Sequence, residues 1–450
     1  MTSVWTIESV AEVVRGDVVG DSSRSVGGFK SDTGEVQAGD LFIGVPGQRV
    51  DGGTFATDAA AAGAAGALVS RSAFASIKDS QSLPPLIVCD DPVAALGELA
   101  KSARAQLTCP VIGITGSTGK TSTKDILGAI LGAQGKTFTT AGNRNTEIGM
   151  PLELLKVDND TTAVVLEMAM RAEGEIAELV SIAEPDAGLI VNIGPVHLET
   201  LGSIERVAAA KSELITGLAA GKVGVTPAGD ALLEPYLRDD LDSITFGPTG
   251  DCRLLAAEGR HLTIEFRGEQ RSIEVDFDQP HNRLNLLAAA GVALGLGFSL
   301  PDRLSVEFSG LRGERKAFEK GVVVIDDCYN ANPMSMRAAL ADLAGESERR
   351  GGRKVAVLGD MLELGSDSPA LHRQLGADAS SADVDLLITV GSHAALAVSE
   401  FAGESVVAAD ANQAAEILHD KLETGDTVLV KASRGVGLEV VAQSLAGQEG

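Results

Sequence analysis

Three stretches of the chain differ in their rhythm of apolar and polar positions. Over residues 1 to about 108, short apolar runs at 40–45 and 86–89 flank an alanine-rich stretch, 56–67, whose composition predicts one helix. Pro84-Pro85 and Asp91-Pro92 punctuate the end of this block. From Pro110 onward, β-branched runs at 111–114, 163–166 and 189–191 each precede helix-like sequence. That alternation predicts a mostly parallel sheet with helices on its faces. A more polar, β-rich insert at 243–277 interrupts it, and a helical run at 285–296 follows. The third block begins near 312. Its strand candidates lie at 322–325, 355–358, 386–390 and 428–430, with helices between them. This reads as a second α/β unit, doubly wound. No fixed-period repeat is present. The predicted fold class is α/β in three domains: 1–108, 109–311 and 312–450.

Length agrees with that division, since 450 residues at roughly 150 per domain give three. With 44% hydrophobic and 22% charged residues, the composition is that of a globular chain and excludes disorder. Acidic residues outnumber basic ones 63 to 37, so the formal charge is −26. No basic face is available to release counterions, which excludes nucleic acid and a basic membrane patch. An anionic substrate would be held against the field of the whole protein, by local donors. Cys89, Cys109, Cys252 and Cys328 are scattered with no C-x-x-C pair, which removes zinc and thioredoxin-like readings and fits a reducing compartment. The first ten residues lack a basic segment followed by an apolar run. The most apolar stretch, 59–70, is short and broken by glycine. The expectation is a cytoplasmic protein with no membrane insertion.

The strongest chemical signal is Gly113-Ile-Thr115-Gly116-Ser117-Thr118-Gly119-Lys120-Thr121, between a predicted strand and a predicted helix. That is the setting of a phosphate-binding loop. Gly116 and Gly119 let the backbone curl so that N–H groups meet phosphate oxygens, and the helix N-terminus adds its dipole. Lys120 can reach the β and γ phosphates, and the Thr121 hydroxyl can ligate Mg²⁺. The match is not strict: the pattern requires glycine at 114, where Ile114 stands, and the glycine lies one position earlier, at 113.

In an open parallel sheet, ligands bind beyond the carboxyl ends of the strands. Glu167 follows one strand run there, and the segment from Asn192 to His197 follows another. Glu167 is the natural oxygen ligand for Mg²⁺, and His197 suggests a second metal position. Lys211 sits in a helix-forming stretch, and its residues alone favour a solvated helix lysine. Asn282 and Asn285 precede or open a helix, where they cap it or Asn285 reads an adenine edge. In the third block, Asp326-Asp327-Cys-Tyr-Asn330-Ala-Asn332-Pro333 follows a strand as a structured turn. Gly359-Asp360-Met-Leu-Glu-Leu-Gly365 and Lys431-Ala-Ser-Arg434-Gly435 hold the same position after later strands.

Together these segments resemble the Mur ligases, ATP-dependent amide-forming enzymes of cell-wall precursor synthesis. The resemblance covers essentially the whole chain. It rests on the 115–121 loop, Leu166-Glu167-Met168, 192–199, Ala209-Ala-Lys211 and His281-Asn-Arg-Leu-Asn285. Asp327 to Pro333 with Ser335-Met336, and 358–365, are similar to the branch that adds D-alanyl-D-alanine to a UDP-N-acetylmuramoyl-tripeptide. Ser31-Asp32-Thr33 and Gly39-Asp-Leu-Phe42 look like the family's UDP-end domain.

The resemblance implies a UDP-substrate domain, a central P-loop domain that binds ATP, and a Rossmann-like C-terminal domain that closes over the site about hinges near 108 and 312. It implies metal ligation by Thr121, Glu167 and His197, and by Lys211 as a carbamate. It implies nucleotide contacts from Asn282, Asn285, Asp327 and either Arg312 or Arg315. Substrate contacts are expected from Ser31, Asp32, Thr33, Asn143, Asn145, Thr146, Asn330 and Asn332. ATP and Mg²⁺ are the expected cofactors, the UDP-linked tripeptide and D-Ala-D-Ala the substrates, and the acting form a monomer. Departures from the family's pattern are Gly34, Gly52-Gly53, Arg144, Thr146 and Cys328. The competing readings are a branch adding a diamino acid to a dipeptide, for which no Asp-Asn-Pro-Arg segment is present, and a P-loop switch or kinase. A GTPase would want Asn-Lys-x-Asp, which is missing too.

Overall fold

A computed structural model of the chain describes residues 5–309 and 313–446. Three large sheets and a two-stranded ribbon, Trp5–Thr6 with Ser25–Val26, make up its architecture. The first has five strands in the order Asp17–Val19, Leu86–Cys89, Gly66–Ser70, Asp40–Ile43, Gly28–Lys30. It is parallel except at its Asp17–Val19 edge. The alanine-rich stretch does not run as one helix. The helix stops at Ala56–Ala61, Gly63 turns the chain at φ +96°, and Gly66–Ser70 becomes a strand. All five residues of that strand are buried between sheet neighbours, and this tertiary burial outweighs alanine's helical preference.

The second sheet has ten strands. Its parallel half runs Asp242–Phe246, Val223–Pro227, Ala187–Ile190, Val111–Thr115, Ala163–Glu167, Thr137–Thr139. The polar insert forms the antiparallel strands Cys252–Glu258, His261–Phe266 and Glu269–Val275. Val111–Thr115 lies in the middle, and the chain leaves it first to one side and later to the other. That reversal of strand order creates a crevice at the carboxyl edge. Register sets what meets there: Glu167 pairs with Ile114, and Ile190 with Thr115. The phosphate loop, Glu167 and the segment after Ile190 therefore emerge side by side.

The third sheet runs Glu314–Ala317, Val323–Asp326, Thr427–Lys431, Lys354–Gly359, Leu386–Val390, Glu404–Ala408, parallel except for its first strand. Both edge strands escape the hydrophobic pattern, one because it is charged and one because it is half-exposed. No helix among the described residues is long and apolar enough to cross a membrane.

Candidate active site

The loop after Val111–Thr115 turns into the helix Lys120–Gly132 through Gly119, at φ +78°. A Cβ there would stand 2.9 Å from the Asn285 Oδ1, so glycine is needed for both conformation and space. No side chain caps this helix, so its first N–H groups remain open to an anion. The loop is stitched to the neighbouring strand's extension. Asn192 Oδ1 accepts from the Thr118 N–H at 3.0 Å, and its Nδ2 donates to the Thr118 carbonyl at 3.1 Å. Ser117 exchanges two hydrogen bonds with the Gly194 backbone. The Lys120 ammonium curls back to donate to the Gly116 carbonyl at 2.8 Å. Asn192 is a structural partner to which sequence reasoning gave no role of its own; its position just past a strand end was the available signal.

Two of the predicted loop residues face elsewhere. Gly113 lies inside its strand, where a Cβ would stand 2.9 Å from Leu214 and 3.1 Å from Met168. It is a packing glycine of the core, not part of the phosphate cradle. Thr115 is fully buried and does not line the cleft.

Behind the loop, the Thr121 hydroxyl donates to Glu167 Oε2 at 2.7 Å, and Asn145 Nδ2 donates to Oε1 at 2.8 Å. Glu167 is 2% exposed. A carboxylate and a hydroxyl in contact form an all-oxygen donor pair of the kind Mg²⁺ prefers. No cluster of three or more His, Cys, Asp or Glu is gathered among the described residues. Lys211, on the helix Ile204–Thr216, is 1% exposed and has no hydrogen-bond or ion-pair partner among the described residues. The solvated-lysine reading is thereby overturned. Burial first, and the Lys120 charge second, hold its pKa well below the ordinary lysine value.

His197 begins a short helix at φ +54° and places Nδ1 2.5 Å from Glu363 Oε2, on the loop that follows the third-sheet strand Lys354–Gly359. Burial pulls its pKa down against the opposing pull of Glu363. Asn282 and Asn285 are not caps. The helix Pro280–Gly295 starts at Gln279, which leaves both asparagines buried one turn apart on the cleft wall.

The cleft has a volume of about 1430 Å³ and is walled by both the second and third sheets. Asn143, Asn145 and Thr146 line it beside the loop. Across from them stand Arg315, Asp327, Asn330, Asn332 and Lys431. Arg315 donates to Asp342 at 2.7 Å. Lys431 Nζ donates to Asp327 Oδ2 at 2.7 Å and to the Asn330 carbonyl at 2.8 Å, bracing the turn. Asn332 caps the helix Pro333–Arg350, accepting from the Ser335 N–H at 2.9 Å. Arg312 lies outside the described residues. Ser31, Asp32 and Thr33 do not reach this cleft; Asp32 caps a short turn on the first sheet's rim. One link joins the two regions: Arg144 bonds both oxygens of Glu35, at 2.6 and 2.8 Å.

Family models match three successive segments: the Mur ligase family catalytic domain over residues 27–104, the Mur ligase middle domain over 114–293, and the Mur ligase glutamate ligase domain over 311–434. The chain is 34% identical to the UDP-N-acetylmuramoyl-tripeptide–D-alanyl-D-alanine ligase of Bacillus subtilis, across 98% of both chains. The chain belongs to the Mur ligase family. The Escherichia coli ligase of the same name is also 34% identical, again over 98% of each. Among solved structures, MurF from Acinetobacter baumannii superposes with a TM-score of 0.87 at 27% identity, covering 99% of both chains. MurF from Thermotoga maritima in complex with ADP gives 0.82 at 29% identity, covering 94% of this chain and 97% of that one. A diaminopimelate ligase structure gives 0.50 at 14% identity, a likeness of fold alone.

Proposed function

We propose that this protein is an ATP-dependent ligase that joins D-alanyl-D-alanine to the terminal carboxylate of a UDP-N-acetylmuramoyl-tripeptide in the cytoplasm, releasing ADP and phosphate. The observation that carries the reading is one cleft with two walls. An anion-ready loop with Lys120 and the Thr121–Glu167 pair stands on one side, and the braced 327–332 turn on the other. The whole-chain likeness to ligases of that name selects the substrates.

The peptide carboxylate attacks the γ-phosphorus of ATP, ADP leaves, and an acyl phosphate forms. Lys120 and the loop N–H groups offset the repulsion between two anions, so positioning and electrostatics do most of the work. Asn282 and Asn285 are placed to meet the nucleotide's base, with Arg315 and Asp327 approaching from the facing wall. The amine of D-Ala-D-Ala then attacks the acyl carbon, a tetrahedral intermediate collapses, and phosphate leaves with loss of one proton. Closure of the 312–450 domain over the 109–311 domain keeps water from the acyl phosphate. Asn143, Asn145, Thr146, Asn330 and Asn332 hold the peptide and dipeptide ends, and Ser31, Asp32 and Thr33 serve the uridine end.

Bound Mg²⁺ would supply Lewis-acid neutralisation of phosphate charge, held by Thr121 and Glu167, with His197 and carbamylated Lys211 as further ligands. The chain's residues suit that role. Burial disfavours the Lys211 ammonium and so favours the free amine that CO₂ adds to, giving a carbamate and one proton. The test is phosphate release from ATP and Mg²⁺ with the UDP-tripeptide, with and without D-Ala-D-Ala. Dependence on the dipeptide and a UDP-pentapeptide by mass spectrometry are expected. Release only with a single diamino acid and a UDP-dipeptide would refute the assignment. Lys120→Ala should lose turnover by at least about 10²-fold while still binding the UDP substrate.

A further inference from the structure

The segment 360–365 projects from the carboxyl end of Lys354–Gly359 and meets the central sheet at 197–199. His197 Nδ1 lies 2.5 Å from Glu363 Oε2. The Glu199 N–H donates to the Glu363 carbonyl at 3.2 Å. A Cβ at Gly365 would stand 3.2 Å from the Glu199 Cα, so the two backbones are in direct contact.

Each residue on the sheet side of this loop is fixed. The Asp360 carboxylate accepts from the His393 and Ala394 N–H groups, at 3.1 and 2.6 Å. The Met361 N–H donates to His372 Nε2 at 2.9 Å, and the Leu362 N–H to Ser433 Oγ at 3.0 Å. Met361 and Leu364 are anchored in the core at 2% exposure. Between these anchors Glu363 adopts φ +62°, a left-handed conformation that is strained for a non-glycine residue. Its half-exposed pairing with His197 returns little stability, because solvent screens it. The contact therefore does not explain itself as a stabilising one; the loop is shaped to place a carboxylate.

We infer that Glu363 is a positioning residue for the proposed ligation: delivered from the third sheet, it holds the His197 ring of the central sheet in a single tautomer. A carboxylate oxygen is an acceptor, so the contact draws the Nδ1–H of His197 onto Glu363 and leaves Nε2 as the ring nitrogen that Glu363 does not engage. A carboxylate behind a histidine that bears on a metal or phosphate fixes ring orientation and raises basicity. Because donor and ring come from different sheets, His197 is set in this way only when the two walls of the cleft are together. Site assembly and closure are thus one event, and each favours the other.

The inference rests on the ligase reading, and two measurements separate them. In steady-state turnover, Glu363→Ala should lower kcat by about 10- to 100-fold with KM for ATP little changed. Glu363→Gln, which still offers an acceptor to Nδ1–H, should recover part of the loss. In a His197→Ala background the Glu363 substitution should add nothing. Full activity in Glu363→Ala, or additive losses in the double variant, overturns the inference. Independently of turnover, imidazole ¹⁵N shifts of the histidine-labelled protein should show His197 as the Nδ1–H tautomer, lost in Glu363→Ala. An unchanged tautomer overturns the inference even if the ligase activity is present. If the parent chain turns over no ATP, the ligase reading falls while the tautomer measurement still decides the pairing.

Discussion

His372→Gln probes the prop beneath the 360–365 loop. His372 is fully buried on the helix Ser368–Ser381, and both ring nitrogens are committed. Nδ1 donates to the Ser368 carbonyl at 2.7 Å, and Nε2 accepts from the Met361 N–H at 2.9 Å. Protonation at Nε2 would set a donor against a donor. Burial pulls the His372 pKa below the usual 6.5, helped slightly by His393 and opposed by the Ser368 carbonyl and Asp360. Below pH 6.5 the unfolded chain therefore binds a proton that the fold refuses. The stability from this group is complete above 6.5 and is lost as pH falls toward the depressed value. One proton is worth about 1.4 kcal/mol per pH unit, so the loss between pH 7.5 and 5.5 is at most about 1.4 kcal/mol. A chain of several units does not unfold in one step, so the assay must be local. Hydrogen exchange of peptides covering Lys354–Gly359 and Leu386–Val390 reads the opening free energy of this sheet. The parent should lose more stability than the glutamine variant over that pH range, by up to about 1.4 kcal/mol, with carboxylate titrations cancelling in the comparison. Parallel pH profiles would refute the reasoning, since they would mean that His372 does not titrate against the fold.

Thr121→Val removes one of two donors to Glu167, a charge-assisted bond of about 1.5–3 kcal/mol. The Mg²⁺ concentration for half-maximal turnover should rise by at least about tenfold, and an unchanged requirement would exclude Thr121 from the metal site. Lys211→Met should abolish turnover and, at neutral pH in bicarbonate-free buffer, slow hydrogen exchange over Ile204–Thr216, because a desolvated polar amine is replaced by an apolar chain; faster exchange would reveal a partner for the amine. Gly376→Ala would drive its Cβ into the Ala397 carbonyl oxygen, and should cost about 3 kcal/mol or more in the C-terminal unit. Unaltered exchange in Leu386–Val390 would contradict that packing.

The parts of the site legible in the sequence are those whose chemistry depends on neighbours along the chain. The 115–121 loop is a set of residue types at fixed spacing, and its strand and helix lie where the pattern puts them. Runs such as Leu86–Cys89 and Leu386–Val390 are bounded as the apolar pattern bounds them, because interior parallel strands are apolar on both faces. What depends on which elements meet is different. Nothing near Glu363 in sequence names His197, 166 residues away; the topology brings them together. Gly113 stands one position before the place of the motif glycine, and the pleat sets it against Leu214 and away from phosphate.

Lys211 is the instructive intermediate case. On its helix the buried positions are Val207, Ala208, Ala210, Lys211, Ser212, Leu214 and Ile215. Lys211 lies one turn after Val207 and one turn before Leu214 and Ile215, in the centre of the apolar stripe. His372 does the same among Ser368, Leu375, Gly376 and Ala379. Helix propensity treats such a lysine as ordinary, but periodicity does not. A titratable side chain in the middle of a core-facing stripe must either be desolvated at a cost or lengthen out of the core, and a helix packed on a sheet gives it no way out. The lasting trace of a site group in this sequence is therefore a polar residue where the helical period calls for an apolar one. By that criterion the helical period alone marks Lys211, whereas Glu363, on a loop without a period, carries no such mark.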